Sequence, residues 1–571
     1  MIFYTGHKVS VVDEKIRKRR NLQKSWEYGY DESIDTIIIS KDGTLGEVYY
    51  VSGINIGLPQ KPADEFIINH GIASMNQVWQ REELPRGLNE ETHHLREYAD
   101  FIESQYDKKE NGIWIYLNGK AVYMTGLYWY FLQWVKIEEE YPNLRIIQNE
   151  LMIFWEACKA DKRCLGMIYC KNRRIGASSL AVAEEIYSGT SYSDKKLGII
   201  SKTGDDAKDI FDRVVTAYMR LPSFFQPEYD GNNVPQKVLV FRKKNRKRSK
   251  NDSSADSNLG LNTMVRWFTT AKNAMDGWRI FRSLLDESAK WLEVNFEQYW
   301  NKVRTSHIKG RVVFGKSMVV STINPMDEGG QEFKNVYDNS DAYERNANGM
   351  TKSGLYKIFI AARFCLEGFF DKYGFSIVDD PKTPIETDAG DEVSVGSITY
   401  LTNTLEDLRG DAEGYNEQLR QFPETEDDAF RPSAEDCPFN VGHLLEQEHH
   451  NQTNLNDRWK DKTEWIGNDE VERGNFQWLN GVQDTEVVWV PDDVKGRFFI
   501  SKGCHPTRDF RNKKTMRFKN GVNAWSPENE AIGCFGIDPY DTSKAADGRG
   551  SKGAIHLGTK MNTRRFSKAL L

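Results

Sequence analysis

The chain has 571 residues, 77 basic side chains against 84 acidic ones for a net charge of −7, and 12% aromatic residues including 15 Trp. That length exceeds one compact core and points to about three or four domains. The aromatic content argues against global disorder, and the acidic balance confines any nucleic-acid-binding charge to local patches. Seven cysteines without paired spacing, and a start "MIFYTGHKVSVVDEKIRKRR" with no apolar signal stretch, argue against a disulfide framework and fit a reducing cytoplasm.

Residues 1–145 form an aromatic N-terminal region. Within it "NGK" at 118–120 separates "IWIY" from "AVYM" and predicts a hairpin. The dense apolar stretch 121–135, "AVYMTGLYWYFLQWV", is too short and too aromatic to span a bilayer and reads as core. Helical spacing follows in "NELMIFWEACKADKR" (149–163), then a strand-type run, "CLGMIYC". Cys158, Cys164 and Cys170 recur every six residues, unlike the tight pairs of structural zinc sites.

Directly after that strand comes "CKNRRIGASS", residues 170–179, and then the helical "ASSLAVAEEIYS". The segment has the frame of a phosphate-binding loop, G-x-x-x-x-G-K-[ST], with its last three positions on Gly176, Ala177 and Ser178. Alanine stands where the lysine belongs. Lys171 occupies the first position, from which a long side chain can reach back across the loop, and Arg173 or Arg174 can add a second charge. Loop amides at a helix N-terminus attract an anion whatever the side chains are. Ser178 stands where a hydroxyl would bind Mg²⁺, with Ser179 beside it. The alternative is an ordinary turn at a basic helix N-terminus.

The pattern repeats with a strand at "KLGIIS" (196–201) and a helix at "GDDAKDIFDRVVTAYMRLP", whose Ile210, Phe211, Val214, Val215, Tyr218 and Met219 fall on one face before Pro222 ends it. Alternating strands and helices predict an α/β fold, a parallel sheet with helices on both faces. The basic run "RKKNRKRSK" (242–250) and the polar run after it interrupt the pattern. This run can hold DNA phosphates without reading sequence, or be a solvated hairpin tip.

"WRIFRSLLDES" and "SMVVSTINP" supply two more strands, joined by the helical "NFEQYWNKVRTSH". The first ends in Asp286 and Glu287. In a nucleotide hydrolase such a pair divides the work: one carboxylate holds Mg²⁺ through water and the other polarises the attacking water. The second ends in Ser321, Thr322 and Asn324, a polar tip able to sense a terminal phosphate, or a turn before Pro325. Residues 431–530 carry no clear pattern, and "AIGCFGID" and "AIHLGT" near the end are strand-like.

In this order the three motifs resemble the ATPase half of the large terminase subunit, the P-loop NTPase motor that packages DNA into tailed-bacteriophage heads. That family includes loops with the lysine moved to the start, which identifies Lys171 as the missing lysine. The resemblance further implies that Gln148 recognises adenine, with Gln133 a second candidate, and that Arg174 responds to the γ-phosphate. "QFPETEDDAF" (421–430) is similar to the segment closing the ATPase domain, here 146–430, and "FGIDPYD" (535–541) to the first strand of an RNase H-like nuclease domain starting at 531. Such a nuclease uses two metal ions held by carboxylates, of which Asp538 would be the first. Asp541 and Asp547 read as a solvated turn. Since the sequence ends about one strand later, the expectation is an incomplete nuclease that cannot cleave DNA. The N-terminal aromatics resemble those of crAss-like phage large subunits. The family implies ATP and Mg²⁺ as cofactors. It implies double-stranded DNA, the portal protein, the small terminase subunit and other copies in a ring as partners, in the cytoplasm of the infected bacterial host. A helicase-like ATPase and a non-hydrolysing phage DNA-binding protein are the competing readings.

Overall fold

The computed structural model describes residues 28–64, 67, 78–137, 139–231, 233–241, 260–326, 329–408 and 411–431, and then 471–483, 487–501, 514–519, 522–527, 533–538 and 554–559. The chain divides into two compact units, Met1–Asp436 and Cys437–Leu571.

The first unit begins with a four-stranded sheet, β1 (Gly29–Asp31), β2 (Thr36–Ile38), β3 (Val48–Val51) and β4 (Ile54–Gly57), followed by helix α1 (Ala99–Asn111). The hairpin expected around "NGK" is β5 (Ile113–Leu117) paired antiparallel with β6 (Lys120–Met124). Its turn is made by Asn118 and Gly119 at φ 47° and 73°, a left-handed pair that such hairpins require. Helix α2 (Gly126–Trp134) is capped by the Thr125 hydroxyl, and all nine of its residues are buried. A helix apolar at every position but Gln133 must be covered on every side. It is, because α2 shares one hydrophobic core with β3–β6 and with α3 (Ile146–Ala160) and α4 (Ala177–Ser191). The elements before residue 145 therefore lie inside the same packed unit as those after it.

The central sheet has seven strands: β7 (Gly166–Cys170), β8 (Lys196–Ile200), β9 (Val238–Phe241), β10 (Thr263–Trp267), β11 (Arg282–Asp286), β14 (Lys316–Ser321) and β15 (Leu355–Phe359), with a two-residue pair β12 (Ile308–Lys309) and β13 (Val312–Val313) outside it. Its order is β15-β7-β14-β11-β8-β10-β9, parallel throughout except for β9, which runs antiparallel to β10. Helices α5 (Gly204–Met219), α6 (Phe296–Val303) and α7 (Gly330–Asp338) complete the layers. Successive residues of the central strands enter opposite cores: Met167, Tyr169, Leu284, Met318 and Val320 pack towards α3–α5, and Ile168, Cys170, Leu285 and Val319 towards α6 and α7. This two-sided burial is why the runs read as continuously apolar.

Two expectations need correction. Helices do not cover both faces equally: in β9 and β10 buried Leu239, Phe241, Thr263 and Val265 alternate with exposed Val238 and half-buried Val240, Met264 and Arg266, so among the described residues one face of this edge pair is less covered. The basic run 242–250 between them lies outside the described residues. Met219, expected on the buried face of α5, is 38% exposed, because it is the last helical residue before the chain turns away.

The unit closes with the short pair β16 (Ile385–Glu386) and β17 (Glu392–Val393) and helices α8 (Ser397–Asp407), α9 (Ala412–Gln421) and α10 (Glu426–Ala429). The segment 421–430 is stitched to the sheet: Ala362 N–H donates to the Pro423 carbonyl, Arg363 pairs with Glu424, and Lys357 with Glu426. Phe430 stacks on Phe333. In the second unit the described strands are β18 (Val471–Trp478), β19 (Val487–Pro491) and β20 (Phe498–Ser501) in one antiparallel sheet, β21 (Lys514–Lys519) with β22 (Val522–Pro527), and β23 (Gly533–Asp538) with β24 (Ala554–Thr559). The last pair is antiparallel and places Asp538 at the end of β23; its side chain, Asp541 and Asp547 lie outside what is described.

Candidate phosphate site

In an open parallel sheet, ligand sites form beyond the carboxyl ends of the strands. Here four central strands end together: β7 in Lys171, β8 in Ser201, β11 in Asp286 and β14 in Ser321 and Thr322. β14 lies between β7 and β11, so Thr322 stands between the loop and the carboxylate pair. The loop is anchored from both sides. Lys171 N–H donates to the Ser321 carbonyl, Asn172 Nδ2 to the Ile360 carbonyl, and Arg173 N–H to the Gln421 carbonyl at the end of α9. It then turns through Arg174 and Gly176, both left-handed at φ 65° and 82°, and Gly176 caps α4. A Cβ on Gly176 would also stand 2.8 Å from Gln148 Nε2, so glycine is required there twice over.

Lys171 is 8% exposed, and its ammonium faces Glu287 Oε1 at 2.8 Å, Asp286 Oδ1 at 3.4 Å and Ser178 Oγ at 3.4 Å. Burial disfavours its charge, but the two carboxylates outweigh that and hold its pKa above the ordinary lysine value. Glu287 sits at φ 47° with Lys290 3.0 Å from Oε2 and Thr322 Oγ1 donating to the same oxygen at 3.1 Å. Burial would raise its pKa, yet Lys171 and then Lys290 pull it down to about 2. Asp286 Oδ1 accepts from Ser178 Oγ at 3.2 Å, and Oδ2 from Ser201 Oγ at 3.0 Å.

These groups line a cavity of about 390 Å³ together with Arg173, Arg174, Lys202, Arg213 and Gln421. Six cations stand here against the carboxylates of Asp206, Asp209, Asp286 and Glu287; five of them, all but Lys290, whose charge is turned to Glu287, suit a polyanion of phosphate size. Ser178 and Asp286 fit Mg²⁺: both are hard oxygen donors, and a positive charge, the Lys171 ammonium, already lies within 3.4 Å of each. Among the described residues no three acidic, His or Cys side chains converge, which leaves the rest of such a coordination shell to phosphate and water oxygens.

The structure thus brings together Lys171, Arg173, Arg174, Ser178, Asp286, Glu287 and Thr322. Arg174 is 75% exposed and leans towards Glu367 at 3.9 Å. Three expected residues stand elsewhere. Ser179 lines a neighbouring cavity of about 320 Å³ with Val182, Asp209 and Arg213. Gln148 is buried behind the loop, where Nε2 donates to the Ile175 carbonyl at 2.7 Å and Oε1 accepts from Tyr128 Oη at 3.1 Å. Gln133 has both ends of its amide bonded to the Glu82 backbone. Sequence reasoning missed Ser201, Lys202 and Lys290. The first two follow the apolar run of β8, and the strand-end rule applied to every parallel strand would have found them.

Fold and site together define an α/β protein with a cavity lined by cations and carboxylates at the carboxyl edge of a mostly parallel sheet. No protein-family model and no curated protein matches the sequence. Among solved structures, the chain is similar to the large terminase ATPase domain of Thermus phage P74-26, at 16% identity over 45% of this chain and 86% of that one with a TM-score of 0.27. It is also similar to the HK97 bacteriophage large terminase (12%, 57% and 52%, 0.30). A third is the large terminase of a thermophilic bacteriophage in complex with ADP (11%, 35% and 40%, 0.23). At such identities and scores the likeness carries no argument. No helix among the described residues is long and apolar enough to cross a membrane.

Proposed function

We propose that the chain is an ATP-hydrolysing motor subunit of the large terminase type, which drives double-stranded DNA into a phage procapsid. The observation that carries the reading is Lys171: from the first position of the loop its ammonium reaches Ser178, Asp286 and Glu287 in one cavity. On this proposal Lys171 does the work of the standard loop lysine. In this reading the loop amides with Lys171, Arg173 and Arg174 bind the phosphates, and Ser178 and Asp286 hold Mg²⁺, which supplies charge neutralisation at the terminal phosphates. Glu287 accepts the proton of the attacking water, and Thr322, bonded to Glu287, links that step to β14.

DNA contact at the basic run 242–250, a ring of copies on a portal, a small-subunit partner, a host-cytoplasm setting and an RNase H-like nuclease beginning at β23 with Asp538 belong to the same proposal. Its test is steady-state ATP hydrolysis with Mg²⁺, with and without double-stranded DNA, for the chain and for Lys171→Ala and Glu287→Gln. Removing a positioned base or charge typically lowers such rates about 10²–10⁴-fold. DNA-stimulated hydrolysis lost in both variants supports the reading, and a wild-type rate in either variant overturns its site assignment.

A further inference from the structure

Glu287 is held through its backbone and through both carboxylate oxygens. Its N–H donates to the Val320 carbonyl at 2.8 Å, and its own carbonyl accepts from Lys290 N–H at 2.9 Å. The two carboxylate oxygens have separate partners. Oε1 is bonded to Lys171, and Oε2 to Lys290 and Thr322. An ammonium has three donors, and those of Lys171 face Ser178, Asp286 and Glu287, so contact with a phosphate takes it away from at least one of them. Lys290 is tied to Glu287 by backbone as well as by charge, since it stands three residues further on, in the short helix Ser288–Lys290 that leaves β11.

We propose that Lys290 is the positioning residue for Glu287: with Thr322 it holds Oε2 and keeps the carboxylate aimed into the cavity once Lys171 is drawn to the nucleotide, leaving Oε1 to face the attacking water. The inference rests on the ATP reading above. In the step it serves, the water oxygen bonds to the γ-phosphorus as the bond to the bridging oxygen breaks. That electron pair leaves with ADP, and the water proton passes to Oε1. Nucleotide engagement thereby uncovers the base, and Lys290 prevents it from swinging away.

The test compares the full chain with Lys290→Gln and Lys290→Arg by two readouts, the Kd for AMP-PNP with and without Mg²⁺ and the kcat and KM for ATP. The expected result is a loss of kcat of about tenfold or more in Lys290→Gln, with AMP-PNP affinity within about threefold of wild type, and substantial recovery of kcat in Lys290→Arg. A fall in AMP-PNP affinity matching the fall in kcat/KM would make Lys290 one more phosphate cation and overturn the inference. So would an unchanged kcat in Lys290→Gln, while leaving the ATP reading intact. Absence of AMP-PNP binding by the wild-type chain refutes the ATP reading itself, and Lys290's role with it.

Discussion

Gln148→Leu separates two uses of one side chain. A glutamine that reads adenine would face the ligand, whereas here its amide joins Tyr128 Oη to the Ile175 carbonyl, immediately before Gly176. Leucine has nearly the same volume and neither polar atom. Tyr128 Oη keeps its bonds to the Arg145 backbone at 2.8 Å, so the loss falls on the Ile175 carbonyl. An orphaned buried acceptor costs about 1–3 kcal/mol. If the loop must hold this shape to bind phosphate, that cost weakens binding by up to roughly 5- to 150-fold. Calorimetric titration with tripolyphosphate, which has no base, and with ATP and GTP checks this. The expected outcome is a similar loss for all three ligands and an unchanged ratio of ATP to GTP affinity. Unaltered tripolyphosphate affinity with a collapsed preference for ATP would refute the loop-support role and restore Gln148 as the adenine reader.

Gly176→Ala should act on the same loop, through a left-handed backbone worth about 1–2 kcal/mol and displacement of the Gln148 amide 2.8 Å away. Gly277→Ala, at φ 73° with nothing within 4 Å, is the control and should leave tripolyphosphate binding unchanged. Acid should also weaken the fold through His307. Its ring is fully buried, with Nε2 2.9 Å from Ser283 Oγ, and burial, reinforced by Arg282 and Lys316, lowers its pKa from 6.5 to about 4. Because the unfolded chain binds the proton more readily, this stability is complete above pH 6.5 and lost as pH falls towards 4. The limit is about 3 kcal/mol, from the pKa difference at 1.36 kcal/mol per unit. Urea unfolding of the wild type and His307→Gln between pH 7 and 4.5 should show the smaller pH dependence in the variant, and equal slopes would exclude the effect.

Local pattern made much of the molecule legible. The apolar runs of β7, β8, β11 and β14 and the helical spacing of α4 and α5 are properties of short windows. So are the loop frame that carries Lys171 and Ser178 and the strand end that carries Asp286 and Glu287. The reach of Lys171 was readable because strand, loop and helix follow one another without a gap. The start of α3 at Ile146 rather than near 149 was not, and that shift buries Gln148 in the first turn beneath the loop.

The sequence by itself determined which segments are strands and helices and which polar residues end them, since backbone preference and burial periodicity act over a few residues. Only the tertiary structure decided what those ends meet. Insertion of β14 between β7 and β11, the pairing of Lys171 with Glu287 and the arrival of Thr322 on the far carboxylate oxygen all depend on strand order. So do the Gln421 carbonyl under Arg173 and the less covered face of the β9–β10 pair. Strand order is fixed by packing between residues far apart in the chain, and no short window carries that information.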